Sequence, residues 1–330
     1  MRITILFGGT NKERLVSVAS AQALHRALPE ADLWFWHPAD TVHEVRSETL
    51  LNHQRPFEDA FEPGSRGDGF AAALDKAKTE DRLLVLGLHG GRAENGELQA
   101  ACEMRGIPFT GSGSASSHLA FDKSAAKRFA AIAGVKVPEG IALHDIEAAF
   151  AEYGKLIAKP ARDGSSYGLI FVNAKQDLVA VRNAARTEDY VIEPFVAGVE
   201  ATCGVLERSD GSLLALPTVE IIPREGAFDY TAKYLLKSTQ EICPGRFSPE
   251  ITAELMDQAL RAHRALSCGG YSRTDFIISA NGPIYLETNT LPGLTAASLY
   301  PKALKAQGIE FAAFLRDQIV LAENRCLRRI

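Results

Sequence analysis

The stretch Tyr271–Thr295, YSRTDFIISANGPIYLETNTLPGLT, decides how the rest of the chain is read. Two runs suited to strands, Thr274–Ile278 and Pro283–Leu286, flank Asn281-Gly282, a dipeptide that accepts positive φ and reads as a hairpin loop. A hairpin folded about Asn281 sets Asp275 opposite Glu287, because the two are equally far from the turn. Side chains alternate faces along a strand, so Asn289 joins Glu287 and Arg273 joins Asp275 on one face. Facing carboxylates repel unless something positive sits between them. Two carboxylates and an amide are oxygen donors that suit a hard cation, Mg²⁺ above all, and Mg²⁺ usually arrives carrying nucleotide phosphate. Arg273 adds a guanidinium able to meet phosphate or an oxyanion. The plainer reading is a solvated acidic hairpin edge. Phe276 and Leu286, which read as core-facing, argue against it.

Composition sets wider limits. At 330 residues the chain holds two or three compact units. A hydrophobic share of 46% and a charged share of 23% are ordinary for a soluble globular protein. A net charge of -5 argues against a nucleic-acid binder, which would show a basic field. Apolar runs such as Leu83–Leu88 are too short to span a bilayer, so no membrane association is expected. The opening Met1–Gly9 reads as a buried strand and turn instead of a signal peptide. Five cysteines, odd in number and without C-x-x-C spacing, fit free thiols in a reducing cytosol.

Along the chain, Ile3–Phe7 is an apolar strand closed by Gly8-Gly9, and a helix is expected from about Asn11 to Leu28. Glu13 has two readings. Thr10-x-x-Glu13 spells a capping box. Glu13 also stands at the carboxyl end of a strand, where open α/β sheets bind ligands. Residues 53–69, polar and rich in Gly and Pro, read as a surface loop, with a helix from Gly69 to Lys78. The buried strand Leu83–Leu88 ends in His89-Gly-Gly-Arg-Ala-Glu-Asn-Gly, placing His89 just past a strand end beside glycines that let a ligand approach. A lone histidine is as readily a structural hydrogen-bonder.

A second unit opens near Gly113. Between the strand-like Lys155–Pro160 and Leu169–Val172 lies Ala161-Arg-Asp-Gly-Ser-Ser-Tyr-Gly, whose N–H and hydroxyl groups suit phosphate oxygens, with Lys159 adding charge. Glu193 ends one strand and Glu200 begins the next, as where a strand leaves one unit to wall another. Phe228–Leu235 falls in a long polar connection of the kind that forms lids, which gives Lys233 and Tyr234 a place in closure. Glu250–Cys268 reads as an amphipathic helix, and a C-terminal helix runs from about Phe311 to Glu323.

Taken together, Phe7–Ser17, Leu88–Gln99, Lys159–Gly168, Asp229–Tyr234, and Arg273-Thr-Asp with Glu287–Thr295 resemble the D-alanine–D-alanine ligase family of the ATP-grasp superfamily, in order over most of the chain. The resemblance implies an α/β chain, α+β in its ATP-grasp part: an N-terminal open parallel-sheet substrate domain (1–111), a central ATP-grasp subdomain (112–192), and a C-terminal one with the metal site and lid (193–330). It implies that Lys123 and Lys159 hold phosphates. Gly164, Ser165 and Ser166 cover them, and Lys233 reaches them from the lid. Glu193, Phe195, Val196 and Glu200 line the adenosine site, and Asp275, Glu287 and Asn289 bind two Mg²⁺ ions (or Mn²⁺ in their place). Glu13 takes the ammonium of the first substrate and ties the domains and lid together with Ser165 and Tyr234. His89 and Ser298 serve the substrate carboxyl ends, while Arg273 and the N–H of Gly293 face the tetrahedral oxyanion. Tyr234 favours an amine acceptor over D-lactate, and Leu299 the methyl of D-alanine over D-serine. The implied partners are ATP and two molecules of D-alanine, in a cytoplasmic homodimer that makes the peptidoglycan dipeptide. Asp163, Tyr167, Pro194, Phe195, Ser272 and Thr274 depart from the family's usual residues. Two rivals stand beside this reading: an ATP-grasp ligase for other amino acids, and a nucleotide-binding module without catalysis.

Overall fold

The computed structural model describes residues 1–162, 164, 168–222 and 239–327. The first sheet is built on β1 (Arg2–Gly8), which lies parallel to both β2 (Asp32–His37) and β5 (Arg82–Gly87). β3 (Thr41–Val45) and β4 (Gly67–Gly69) extend it antiparallel, in the order β4-β3-β2-β1-β5. The expected open parallel sheet therefore carries an antiparallel edge. Period-two alternation sends Ile5, Phe7, Leu33 and Phe35 to one face and Leu6, Trp34 and Trp36 to the other. Helix α1 (Arg14–Ala27) covers the first face through Val18, Ala21 and Leu24. On the second face lie α3 (Phe70–Thr79) and α5 (Glu97–Arg105), named after the short α2 (Ser47–Leu51) and α4 (Gly91–Glu94). The 53–69 segment is not wholly surface: Phe61 is 5% exposed and packs edge-on to Phe7 and Phe35.

Two helices, α6 (Ser114–Phe121) and α7 (Lys123–Ile132), lead away from the first sheet. A small antiparallel sheet follows, β7-β6-β8, formed by Leu156–Pro160 (β6), Ile170–Val172 (β7) and Tyr190–Pro194 (β8). α8 (Ile146–Tyr153) and α9 (Leu178–Ala184) cover it. The third sheet runs β12-β11-β9-β13-β14, from β9 (Val199–Glu207), β11 (Val219–Ile222), β12 (Gln240–Ile242), β13 (Tyr271–Ser279) and β14 (Gly282–Asn289), with β10 (Leu213–Ala215) beside β9. α10 (Pro249–Ala265) starts at Ser248, whose hydroxyl accepts from the Ile251 N–H, with proline in its first turn. Ala130 at the end of α7 and Val135 just after it share a core with Leu255, Phe276 and Tyr285, so residues 112–137 pack on the C-terminal sheet.

The chain then returns. α11 (Leu299–Ala306) and α12 (Phe311–Leu327) bring Tyr300, Phe314, Leu315 and Ile319 into the same core as Ile5, Leu24 and Val85 of the first sheet.

The opening hairpin forms with one change. Its two-residue loop is Ala280-Asn281, and Gly282, at φ +92°, is the first residue of β14. That turn alone would set Asp275 opposite Leu286. A β-bulge at Asp275/Phe276 shifts the register by one residue, so that Asp275 pairs with Glu287 and Arg273 with Asn289. The expected pairing stands, and the bulge is what produces it. Next to the turn Phe276 pairs with Tyr285, both in the core, so Leu286 alternates to the other face and lines the cleft described below, and the bulge brings Glu287 to that face as well.

Gly198 marks the crossing from the second sheet to the third. A Cβ there would stand 2.2 Å from the Ile278 carbonyl oxygen and 2.7 Å from Ile277 Cγ2. Gly198→Ala is expected to cost about 1–3 kcal/mol by forcing β9 off β13. Urea unfolding checks it, and an unchanged midpoint would contradict this packing.

Candidate active site

Between the second and third sheets lies a cleft of about 440 Å³, with apolar walls that include Ile157, Phe171, Ile222, Ile277 and Leu286. Lys123, Lys159, Gly164, Glu193, Phe195, Val196, Glu200, Asp275 and Glu287 all line it. The β8–β9 connection supplies the back wall, as expected from the two glutamates that flank it.

The floor is an ion network. Asp275, 4% exposed, accepts from Thr202 Oγ1 (2.6 Å) and Asn289 Nδ2 (3.1 Å), and from Arg273 through both Nε (2.9 Å) and a terminal guanidinium nitrogen (2.8 Å). Lys123, at the start of α7, places its ammonium 3.3 Å from Glu287. Glu193, 2% exposed, lies 3.3 Å from Lys159 and also pairs with Lys127. Burial pushes both lysine ammoniums below their ordinary value. Lys127 escaped the sequence reading, although it follows Lys123 by one helical turn and so shares its face.

A second constellation forms where the first sheet meets the third. α1 begins at Arg14, and Glu13 makes no side-chain capping bond, so the capping-box reading fails. Its backbone N–H is taken instead by Asn11 Oδ1 (2.9 Å), which leaves the carboxylate facing the glycines of two other segments. A Cβ on Gly90 would fall 1.9 Å from Glu13 Oε2, and one on Gly164 would fall 3.4 Å from it. Close approach is what requires glycine at 90, together with its φ of +63°.

His89 is buried. Its Nε2 lies 2.8 Å from Ser20 Oγ, and its Nδ1 lies 3.2 Å from the Leu291 carbonyl oxygen. Burial, helped by Arg273, lowers its pKa to about 4, so the ring is neutral. Nδ1–H then donates to Leu291, and Nε2 accepts from Ser20. Glu94, which the sequence reading left without a role, accepts from the Gly90 N–H (3.1 Å) and reaches the Leu291 N–H (3.5 Å). Burial and the neighbouring Glu13 carboxylate push it up to about 7. Ser298 stands before α11 and bonds Thr295 through Oγ (2.7 Å), beside Gly293, where a Cβ would meet it at 2.7 Å. Leu299 opens α11 and packs against the large shared core. Ser165, Ser166, Lys233 and Tyr234 lie outside the described residues, so Glu13 is the one member of the expected triad that can be placed.

The chain is similar to known proteins along most of its length. The family model "D-ala D-ala ligase N-terminus" matches residues 2–112, and "D-ala D-ala ligase C-terminus" matches residues 143–320. A D-alanine–D-alanine ligase of Halalkalibacterium halodurans is 35% identical over 98% of this chain and 99% of its own length. The VanG D-Ala:D-Ser ligase of Enterococcus faecalis superposes with a TM-score of 0.78 at 30% identity, over 97% of this chain and 99% of that one. The ATP complex of a Bacillus anthracis D-alanine–D-alanine ligase superposes with a TM-score of 0.75 at 26% identity, over 100% and 99% of the two chains. Two matched segments, one over the first sheet and one over both sheets of the cleft, and relatives aligned from end to end, show that the chain belongs to the D-alanine–D-alanine ligase family, ADP-forming ligases of the ATP-grasp fold.

Proposed function

We propose that the chain joins two molecules of D-alanine at the expense of ATP, through a D-alanyl phosphate, to supply the dipeptide of peptidoglycan. The observation that carries this reading is the cleft floor, where Arg273, Asp275, Glu287 and Asn289 share one face beneath Lys123 and Lys159. The nucleotide enters between the second and third sheets, its base against the apolar walls near Phe195 and Val196 and its ribose near Glu200. Lys123 and Lys159 take the phosphates.

The donor set fits Mg²⁺. Asp275, Glu287 and Asn289 offer oxygen alone, from neighbouring positions on two strands, and Mg²⁺ takes oxygen ligands. With an amide as the third donor, the site is not a cluster of acidic, histidine and cysteine side chains. None with three such members occurs among the described residues. The bound ions would neutralise the charge that spreads over the phosphoryl group during transfer.

In the first step the carboxylate of the first D-alanine, its ammonium held by Glu13, attacks the γ-phosphorus, and ADP leaves. In the second, the amine of the second D-alanine attacks the acyl carbonyl and inorganic phosphate leaves. Arg273 and the Gly293 N–H stabilise the tetrahedral oxyanion between these events. Ser298 orients the substrate carboxyl ends, and His89, neutral with its ring nitrogens engaged by Ser20 and Leu291, serves them by holding the Leu291 carbonyl in place. Lys233 and Tyr234 belong to the closing segment in this reading, and Ser165 and Ser166 to the phosphate cover. The functional units divide near residues 111 and 192, with 112–137 as the arm that carries Lys123 and Lys127 to the cleft. We place the enzyme in the cytoplasm as a homodimer. All five cysteines are free thiols, and no described helix is long and apolar enough to cross a membrane.

The likeness to a D-Ala:D-Ser ligase supports a second reading, with D-serine as the acceptor. One assay separates them: phosphate release with ATP and Mg²⁺ in the presence of D-alanine, L-alanine, D-serine or D-lactate alone, or of D-alanine mixed with D-serine, with products identified by mass spectrometry. Release that requires D-alanine and yields the dipeptide is expected. Turnover only with a D-alanine and D-serine mixture would move the assignment to the second reading. Nucleotide binding with no turnover on any acid would end both.

A further inference from the structure

Leu291 belongs by sequence to the loop after β14, yet its side chain is 4% exposed within the core of the first sheet, among Leu88, Ala93 and Leu98. Its peptide groups are held from the same side. The carbonyl accepts from His89, and the N–H faces Glu94, whose other oxygen accepts the Gly90 N–H. Asn11 Nδ2 in turn holds the His89 carbonyl at 2.7 Å. The first unit thus grips one residue of the third by side chain, carbonyl and N–H together. Asn289, the amide of the candidate metal site, lies two residues before the gripped position, and Gly293, the candidate oxyanion donor, lies two residues after it.

We propose that Glu94 is a positioning residue for the ligation, acting through the Leu291 peptide. It sets the path of the Asn289–Gly293 segment, so that the metal-binding amide and the oxyanion N–H face the cleft in register with Glu13 and His89. Two rigid units that must present groups to one reacting centre need such a fixed point, since an error near 1 Å costs on the order of a hundredfold in rate. Glu94 is not among the residues that line the nucleotide cleft, so loss of the grip should spare binding of metal-free nucleotide.

The catalytic part of this proposal rests on the function proposed above, and the grip itself does not. Two measurements on the full chain keep them apart. Hydrogen exchange of the 289–294 segment is expected to speed up about tenfold or more in Glu94→Ala, with β13 amides unchanged. Equal protection in the variant would overturn the grip whatever the enzyme's substrate. In steady-state assays with D-alanine, Glu94→Ala should lower kcat by about tenfold to a hundredfold. The Kd for metal-free nucleotide and the Tm should hold, and Glu94→Gln, whose amide oxygen still accepts one N–H, should recover part of the loss. A kcat within about threefold of the parent, or a loss matched by a fall in folded fraction, would overturn the positioning role. Faster exchange in a protein that the parent assay finds inactive on D-alanine would uphold the grip and reject the substrate assignment alone.

Discussion

Asp275→Asn is expected to lower kcat by about a hundredfold to a thousandfold, the scale of losing one preorganised contact to the transition state, here the one made by the ion that Asp275 would hold. The residue is buried and faces Glu287, with Thr202, Arg273 and Asn289 bonded to its two oxygens. The substitution keeps the shape and leaves an oxygen for the Thr202 hydroxyl. It removes the charge that Arg273 pairs with and that a bound ion would share. The remaining activity should therefore need far more Mg²⁺ than the parent, and melting by circular dichroism should show a folded protein. Phosphate release titrated with Mg²⁺ checks this. Parent-like turnover at low Mg²⁺ would take Asp275 out of the metal site.

Glu193→Ala should have the largest effect on stability, about 3–5 kcal/mol, because breaking a buried ion pair leaves its partners uncompensated. Here two ammonium groups, Lys127 and Lys159, converge on one carboxylate that is almost wholly out of solvent. The pH dependence gives the sign. Burial lowers the folded-state pKa of both lysines, so their charged forms weigh against the fold below that pKa, and the burden lifts as pH rises and protons leave. Without Glu193 the burden grows. Urea unfolding should thus show the variant most damaged near neutrality and closer to the parent at about pH 10. Equal destabilisation at both pH values would mean that the loss is one of packing instead of charge.

These expectations differ in how far they could be read from the residues alone. The facing of Asp275 and Glu287 follows from pleat and turn, and it survived a turn one residue out of place because a bulge compensated for it. A bulge of this kind leaves no composition signal, and the earlier turn pairs Phe276 with Tyr285 where a hairpin about Asn281 pairs it with Leu286, so Leu286 lines the cleft instead of the core. Glu193 and Glu200 were legible as the ends of consecutive strands. The capping box at Glu13 was legible and false, since local pattern cannot see the Gly90 and Gly164 backbones that come against the carboxylate from elsewhere in the chain. Lys127 could have been found by helical spacing from Lys123. Glu94 could not, because its meaning depends on a leucine nearly two hundred residues away that no periodicity connects to it.

The return of α12 onto the first sheet has a consequence for synthesis. Ile5 and Phe7 leave the ribosome about three hundred residues before Leu315 and Ile319, which share their core. At about 5–20 residues per second, the nascent sheet waits roughly 15–60 s with part of one apolar face uncovered. α1 and the second-face helices arrive early, so a partial domain can form, but its remaining greasy surface stays open to chaperones and to neighbouring nascent chains until the late helix is made.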